Sequence, residues 1–113
     1  MCSLDQAIQF KDIESLKPGW NGNNAEVPPA AAIEIAKDIV NKIGDARLEV
    51  FPTAALSVQV ECESDTGDYL EAEIYGPGDI HLFMIFEDGS TSEGFVDEEG
   101  CIARFQEFLG SLK

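Results

Sequence analysis

The sequence predicts an α+β fold: an antiparallel β-meander of about four to five strands, with two helices before it and one after. Three observations predict it. Apolar residues recur at helical spacing as far as Ile43, the period changes to two from Leu48 onward, and helical spacing returns after Cys101. The 113 residues read as a single domain, long enough to bury a core without staples.

The first helix is announced by Ser3 and Gln6, which have capping-box spacing. Leu4, Ile8, Ile13 and Leu16 follow near one helical face until Pro18-Gly19 stops the run. Turn chemistry then occupies Trp20-Asn21-Gly22-Asn23-Asn24. A second helix is expected from about Pro28-Pro29, whose fixed φ suits a helix start, to Ile43. Its stripe is Ile33, Ala36, Val40 and Ile43, widened by Ile35 and Ile39, and Gly44 stands where a left-handed C-terminal residue is wanted.

The strands follow. Leu56, Val58, Val60 and Cys62 alternate with Ser57, Gln59, Glu61 and Glu63, while Leu70, Ala72 and Ile74 alternate with Tyr69, Glu71, Glu73 and Tyr75. Pairing Glu63 with Tyr69 across the loop of residues 64–68 sets Cys62 opposite Leu70, Val60 opposite Ala72 and Val58 opposite Ile74. Every apolar residue then lands on one face, and a slip of one residue would invert the pattern. Gly76-Pro77-Gly78 turns into a strand over residues 80–86, apolar on both faces and therefore interior. Asp88-Gly89 turns into a last strand near residues 91–96, and residues 48–54 are a candidate fifth. Cys101, Ile102, Phe105, Phe108, Leu109 and Leu112 make the third helix, with Asp97, Glu98 and Glu99 at its positive N-terminal end.

Twenty-two acids against seven Lys and Arg give a net charge of −15. Such a surface repels nucleic acid and anionic membranes and attracts a basic counterpart at long range. Hydrophobic residues at 44% argue against disorder despite that charge. Cys2, Cys62 and Cys101 have no zinc-ligand spacing and are read as reduced thiols of a cytoplasmic protein, with Cys62 and Cys101 as small core residues. Neither secretion nor membrane insertion is expected, because no segment approaches the roughly 20 apolar residues that span a bilayer.

The predicted register sets Glu61 opposite Glu71, with Glu63 and Glu73 beside them. Like charges so placed destabilise by roughly 0.2 to 1 kcal/mol, so folding gives no reason to choose them. The face bearing Glu61, Glu63, Tyr69, Glu71, Glu73 and Tyr75, with Asp65 and Asp68 at its rim, is the candidate partner-binding site; the bland alternative is a solvated face that resists aggregation. Phe83 and Ile85 fall on the same face, while Leu82, Met84 and Phe86 fall on the other. The helices are expected to divide between the two faces; otherwise an apolar strip around Phe83 and Ile85 is left open for self-association, for instance as a homodimer.

Other chemistries find less support. Glu61, Glu63, Asp65 and Asp68 do not match a calcium loop, because Thr66 precedes Gly67 and the flanks read as strands, and no metal site is assigned. His81 is the only histidine, no Ser or Cys has a nucleophile-elbow context, and no phosphate loop is present, so neither an enzyme nor a cofactor is expected. Trp20 is expected to plug the space between loop and sheet.

Gly19-Trp20-Asn21-Gly22, Ala25, the helix from Ala30 to Ile43, Pro52-Thr53 and the alternating pair from Ser57 to Ile74 together resemble a family of small bacterial and phage proteins with no established activity. Asn21 stands where that family has Asp, and Val60-Glu61-Cys62 where it often has a Trp. The resemblance implies an α+β fold and a setting among accessory or phage-borne genes, where small acidic proteins often neutralise a larger machine. The expected function is accordingly non-enzymatic. It is the binding and inhibition of a basic protein, such as a nuclease or other nucleic-acid-binding complex, by mimicry of nucleic acid.

Overall fold

The computed structural model describes residues 4–17, 19–20, 27–45, 47–53, 55–64 and 67–110. The chain runs α1 (Leu4–Glu14), α2 (Ala30–Ile43), β1 (Glu49–Thr53), β2 (Ser57–Glu63), β3 (Tyr69–Gly76), β4 (Asp79–Ile85), β5 (Thr91–Val96) and α3 (Glu98–Gly110). The strands form one sheet in the order β1-β2-β3-β4-β5, each antiparallel to the next. This is the α+β meander expected from the alternation, with the fifth strand present at residues 49–53.

The β2–β3 register is the one the alternation dictates: Val58 faces Ile74, Val60 faces Ala72, Cys62 faces Leu70 and Glu63 faces Tyr69. Burial of one face enforces it, since Val58, Val60, Cys62, Leu70, Ala72 and Ile74 are all buried. Ala72 lies on the central strand, and α2 presents the fully buried Ala32 and Ala36. Small side chains on both sides let α2 lie close to β2 and β3, which it contacts.

At the end of α2, Gly44 takes φ 66° and its N–H bonds the Val40 carbonyl, so the left-handed C-terminal position falls where a glycine stands. At the start of α3 the Asp97 carboxylate accepts the Gly100 N–H at 2.7 Å, while Glu98 and Glu99 fill the first turn. The acids of this segment serve the helix start. Phe105 and Cys101 of α3 are fully buried, with Phe108 and Leu109 close behind.

Several expectations are corrected. The helices do not divide between the two sheet faces: the buried residues of α1, α2 and α3 join a single cluster with Val50, Val60, Leu70 and Ile80. The stripe of α1 is Gln6, Phe10 and Ile13, and Ile8 is 50% exposed. Gln6 decides this, because its buried amide donates to the Asp45 carbonyl at 2.8 Å and the Leu48 carbonyl at 2.9 Å, tying α1 to the link between α2 and β1. Phe86 does not reach the core; β4 ends at Ile85, and Phe86 is exposed where its N–H closes the turn onto Ser90. Trp20 is partly exposed, and the loop it is expected to plug lies outside the described residues. Ser3, Pro18, residues 21–26 and Leu112 lie outside the described residues, as does Cys2.

Candidate functional site: the outward face of the sheet

With every helix contributing to one core, the other side of the sheet carries the odd-numbered strand residues. Two rows cross it. One runs Glu49, Glu61, Glu71, Phe83, Glu93, and the next runs Phe51, Gln59, Glu73, His81, Phe95. Alternation sends Glu63 and Asp79 to the same side, because their neighbours Cys62 and Ile80 are buried. The strands thus carry Glu49, Glu61, Glu63, Glu71, Glu73, Asp79 and Glu93 outward and contain no Lys or Arg.

The cations sit elsewhere. Lys37 of α2 meets Glu14 at 2.5 Å and Glu34 at 3.8 Å, and the hydrogen bond to Glu14 raises its pKa. Lys42 pairs with Asp38 at 3.0 Å. Arg47, in the loop before β1, clasps Asp45 through two contacts of 2.9 and 2.6 Å. Among the described residues the Lys and Arg side chains thus belong to helices and loops and none to the strands, with Arg47 bordering the acidic face beside Glu49 and Glu61 and His81 Nε2 lying 3.8 Å from Glu93 Oε2.

The face is internally braced. The Tyr69 hydroxyl lies 2.5 Å from Glu61 Oε2 and 3.0 Å from Glu71 Oε2, so one phenol reaches both members of the opposed carboxylate pair. The Gln59 amide adds a 2.6 Å donation to the same Glu61 oxygen. Desolvation, then the two carboxylates, push the Tyr69 pKa well above its ordinary value, keeping the proton available to them. Tyr75 is likewise raised, first by its hydrogen bond to Glu73. On the other side of Glu73, Ser57 donates at 2.7 Å and in turn meets Thr53 at 2.5 Å across the β1–β2 hairpin. Ser57, at the centre of this hydroxyl–carboxylate chain, is fully buried.

Of the sequence-predicted site residues, the structure brings Glu61, Glu63, Tyr69, Glu71, Glu73 and Tyr75 onto one face. Asp68 does not join them: its carboxylate accepts the Glu87 N–H at 2.8 Å and ties the β2–β3 loop to the β4–β5 turn. Asp65 lies outside the described residues. Phe83 and Ile85 do point outward, but Phe83 is partly buried between Glu71 and Glu93, and Ile85 is partly buried between Tyr69 and Thr91. Among the described residues the most exposed large apolar one is Phe95, at 72%, whose ring lies 5.1 Å from His81 between centroids.

Sequence reasoning missed Glu49, Asp79, Glu93 and Phe95. The signal was present, because extending the same alternation through the outer strands places each of them outward. At the Glu49 end, a cleft of about 300 Å³ is lined by Arg47, Glu49, Glu61, Cys62, Glu63 and Tyr69. Among the described residues, no group of three or more His, Cys, Asp or Glu is arranged to hold a metal ion. The thiols of Cys62 and Cys101 are buried and unpaired by disulfide, and burial pushes both pKa values up to about 12, which disfavours the reactive thiolate.

No protein-family model matches the chain, and comparison with curated proteins and with solved structures likewise gives no match.

Proposed function

We propose that the protein is a non-enzymatic binder that docks the outward face of its sheet on a basic protein and blocks it. The observation that carries this reading is the set of seven outward strand carboxylates with no Lys or Arg among them. Such a field draws in a positively charged partner and raises its association rate.

Geometry supports a partner that handles nucleic acid. Strands about 4.8 Å apart and alternate residues about 6.8 Å apart along each strand make a fixed grid of charges. A surface built to bind phosphates carries clustered cations, which a grid of carboxylates would meet. The hydrogen bonds from Tyr69 and Gln59 hold Glu61 in one orientation before the partner arrives, which lowers the ordering cost of binding. The action is occlusion of the phosphate sites, with Glu61, Glu63, Glu71 and Glu73 at the centre and Glu49 and Glu93 extending the row.

The cytoplasm suits this reading, since Cys62 and Cys101 are free thiols. Among the described residues, no helix is long and apolar enough to cross a membrane.

The test is capture of partners from lysate of the source cells at low and high salt, with wild type beside the double reversal Glu61→Lys/Glu71→Lys. A basic, nucleic-acid-binding protein retained at low salt, released at high salt and lost on double reversal is the expected result. Undiminished binding by a folded double-reversal variant would overturn the assignment of the face.

A further inference from the structure

The two edges of the sheet differ. On β1, Pro52 has no N–H to offer, the Val50 N–H is taken by the Gln9 side chain at 3.0 Å, and α1 packs alongside. That edge is closed. On β5 every residue from Thr91 to Phe95 is exposed, and the strand pairs with β4 alone. Among the described residues, no backbone hydrogen bond is made on its outer side. It contains no proline and no lysine, and its one charge is Glu93, so the devices that usually guard an edge are few.

We propose that β5 pairs antiparallel with β5 of a second copy of this chain about a two-fold axis at Gly94, making one continuous ten-stranded sheet. This inference does not rest on the reading of the carboxylate face.

An antiparallel edge is self-complementary, and the charges select its register. Centring on Glu93 sets two carboxylates opposite each other. Centring on Phe95 sets each Glu93 opposite Asp97 of the second copy and shortens the pairing. Centring on Gly94 sets Glu93 opposite Phe95 and Ser92 opposite Val96, with no like charges opposed and the whole of β5 engaged. The exposed Phe95 ring is then covered.

The core side of β5 agrees. A cavity of about 190 Å³ lies there, lined by Leu82, Met84, Gly94, Val96 and Arg104 among others. A Cβ added at Gly94 would meet nothing within 4 Å. In the Gly94-centred register, Val96 of the second copy, opposite Ser92, borders this apolar space.

Two copies of charge −15 repel each other, so salt must strengthen this association, whereas it weakens a complex with a basic partner. A single strand pair covers less than the roughly 1,200 Å² of a standard interface, so the dimer dissociates on dilution.

Sedimentation equilibrium of the full chain over a range of concentrations, at low and high salt, tests the proposal. Wild type should show a reversible dimer whose dissociation constant falls severalfold at high salt, and Gly94→Lys, which sets two inward ammonium groups on the axis, should be monomeric throughout. In a Cys2→Ser background, Gly94→Cys should form an intermolecular disulfide on mild oxidation, because only an on-axis residue faces its own copy; Thr91→Cys should not. A wild type that stays monomeric in every condition, a dimer that salt dissolves, or a dimer indifferent to Gly94→Lys with no Gly94→Cys cross-link overturns it.

Discussion

Glu61 and Glu71 stand directly opposite each other on adjacent strands, and the hydroxyl of Tyr69 reaches one oxygen of each, at 2.5 and 3.0 Å. A pairing that repels by charge is thus bridged by the one neutral donor that lies between its members.

Removing that donor exposes the repulsion. Tyr69→Phe is expected to destabilise the fold by about 1 kcal/mol, below the usual 1.5–3 for a hydrogen bond to a charged group because the site is partly open to water. Added salt should recover part of the loss, and Glu71→Gln in the Tyr69→Phe background should recover more. Urea denaturation of the two variants at low and high salt checks both points.

Alkaline pH should weaken the fold. Tyr69 and Tyr75 have pKa values raised above 10.0, and Cys62 and Cys101 are raised from 9.0 to about 12. The unfolded chain therefore releases these protons first as pH rises, binds fewer protons than the native state, and is favoured. The stabilisation is fully present below the unfolded values and is lost as pH climbs from about 9 toward the folded ones. Urea midpoints measured at about pH 8 and about pH 10.5 should fall, and Tyr69→Phe should shrink the difference. The phenolate absorbance owed to Tyr69, isolated by comparison with Tyr69→Phe, should rise with unfolding rather than before it.

The β1–β2 hairpin holds Leu56 at φ 61°, the only described non-glycine residue with positive φ, and leaves it 43% exposed. A left-handed conformation costs an L-residue about 1–2 kcal/mol, while glycine gives back about 0.5–1 in chain entropy. Leu56→Gly is therefore expected to stabilise by about 0.5–1 kcal/mol, seen as a higher urea midpoint at unchanged slope.

Gln6 and Ile8 separate the structure from the sequence pattern. Gln6→Ala strips donors from two backbone carbonyls in a closed site and should cost about 2–3 kcal/mol. Ile8→Ala, on the half-exposed side of the same helix, should cost under about 1 kcal/mol. The opposite ranking in thermal melts would return Ile8 to the buried face.

How far the sequence reached can be judged residue by residue. The alternation from Val58 to Ile74 determined the β2–β3 register and with it the opposition of Glu61 and Glu71, because a strand with one buried face admits a single register. Gly44 marked the end of α2, since few other residues accept the left-handed turn there. These are local consequences of side-chain period and backbone sterics. The side of the sheet taken by the helices was decided only in three dimensions, because amphipathicity gives a helix an apolar stripe without saying which surface will cover it. Gln6 turned α1 toward carbonyls roughly forty residues away, and the Glu87 N–H drew Asp68 off the acidic face; neither partner lies within reach of a sequence window. The proton that Tyr69 places between two carboxylates belongs to the same class. Periodicity fixes which way a side chain points, and long-range packing fixes what it meets.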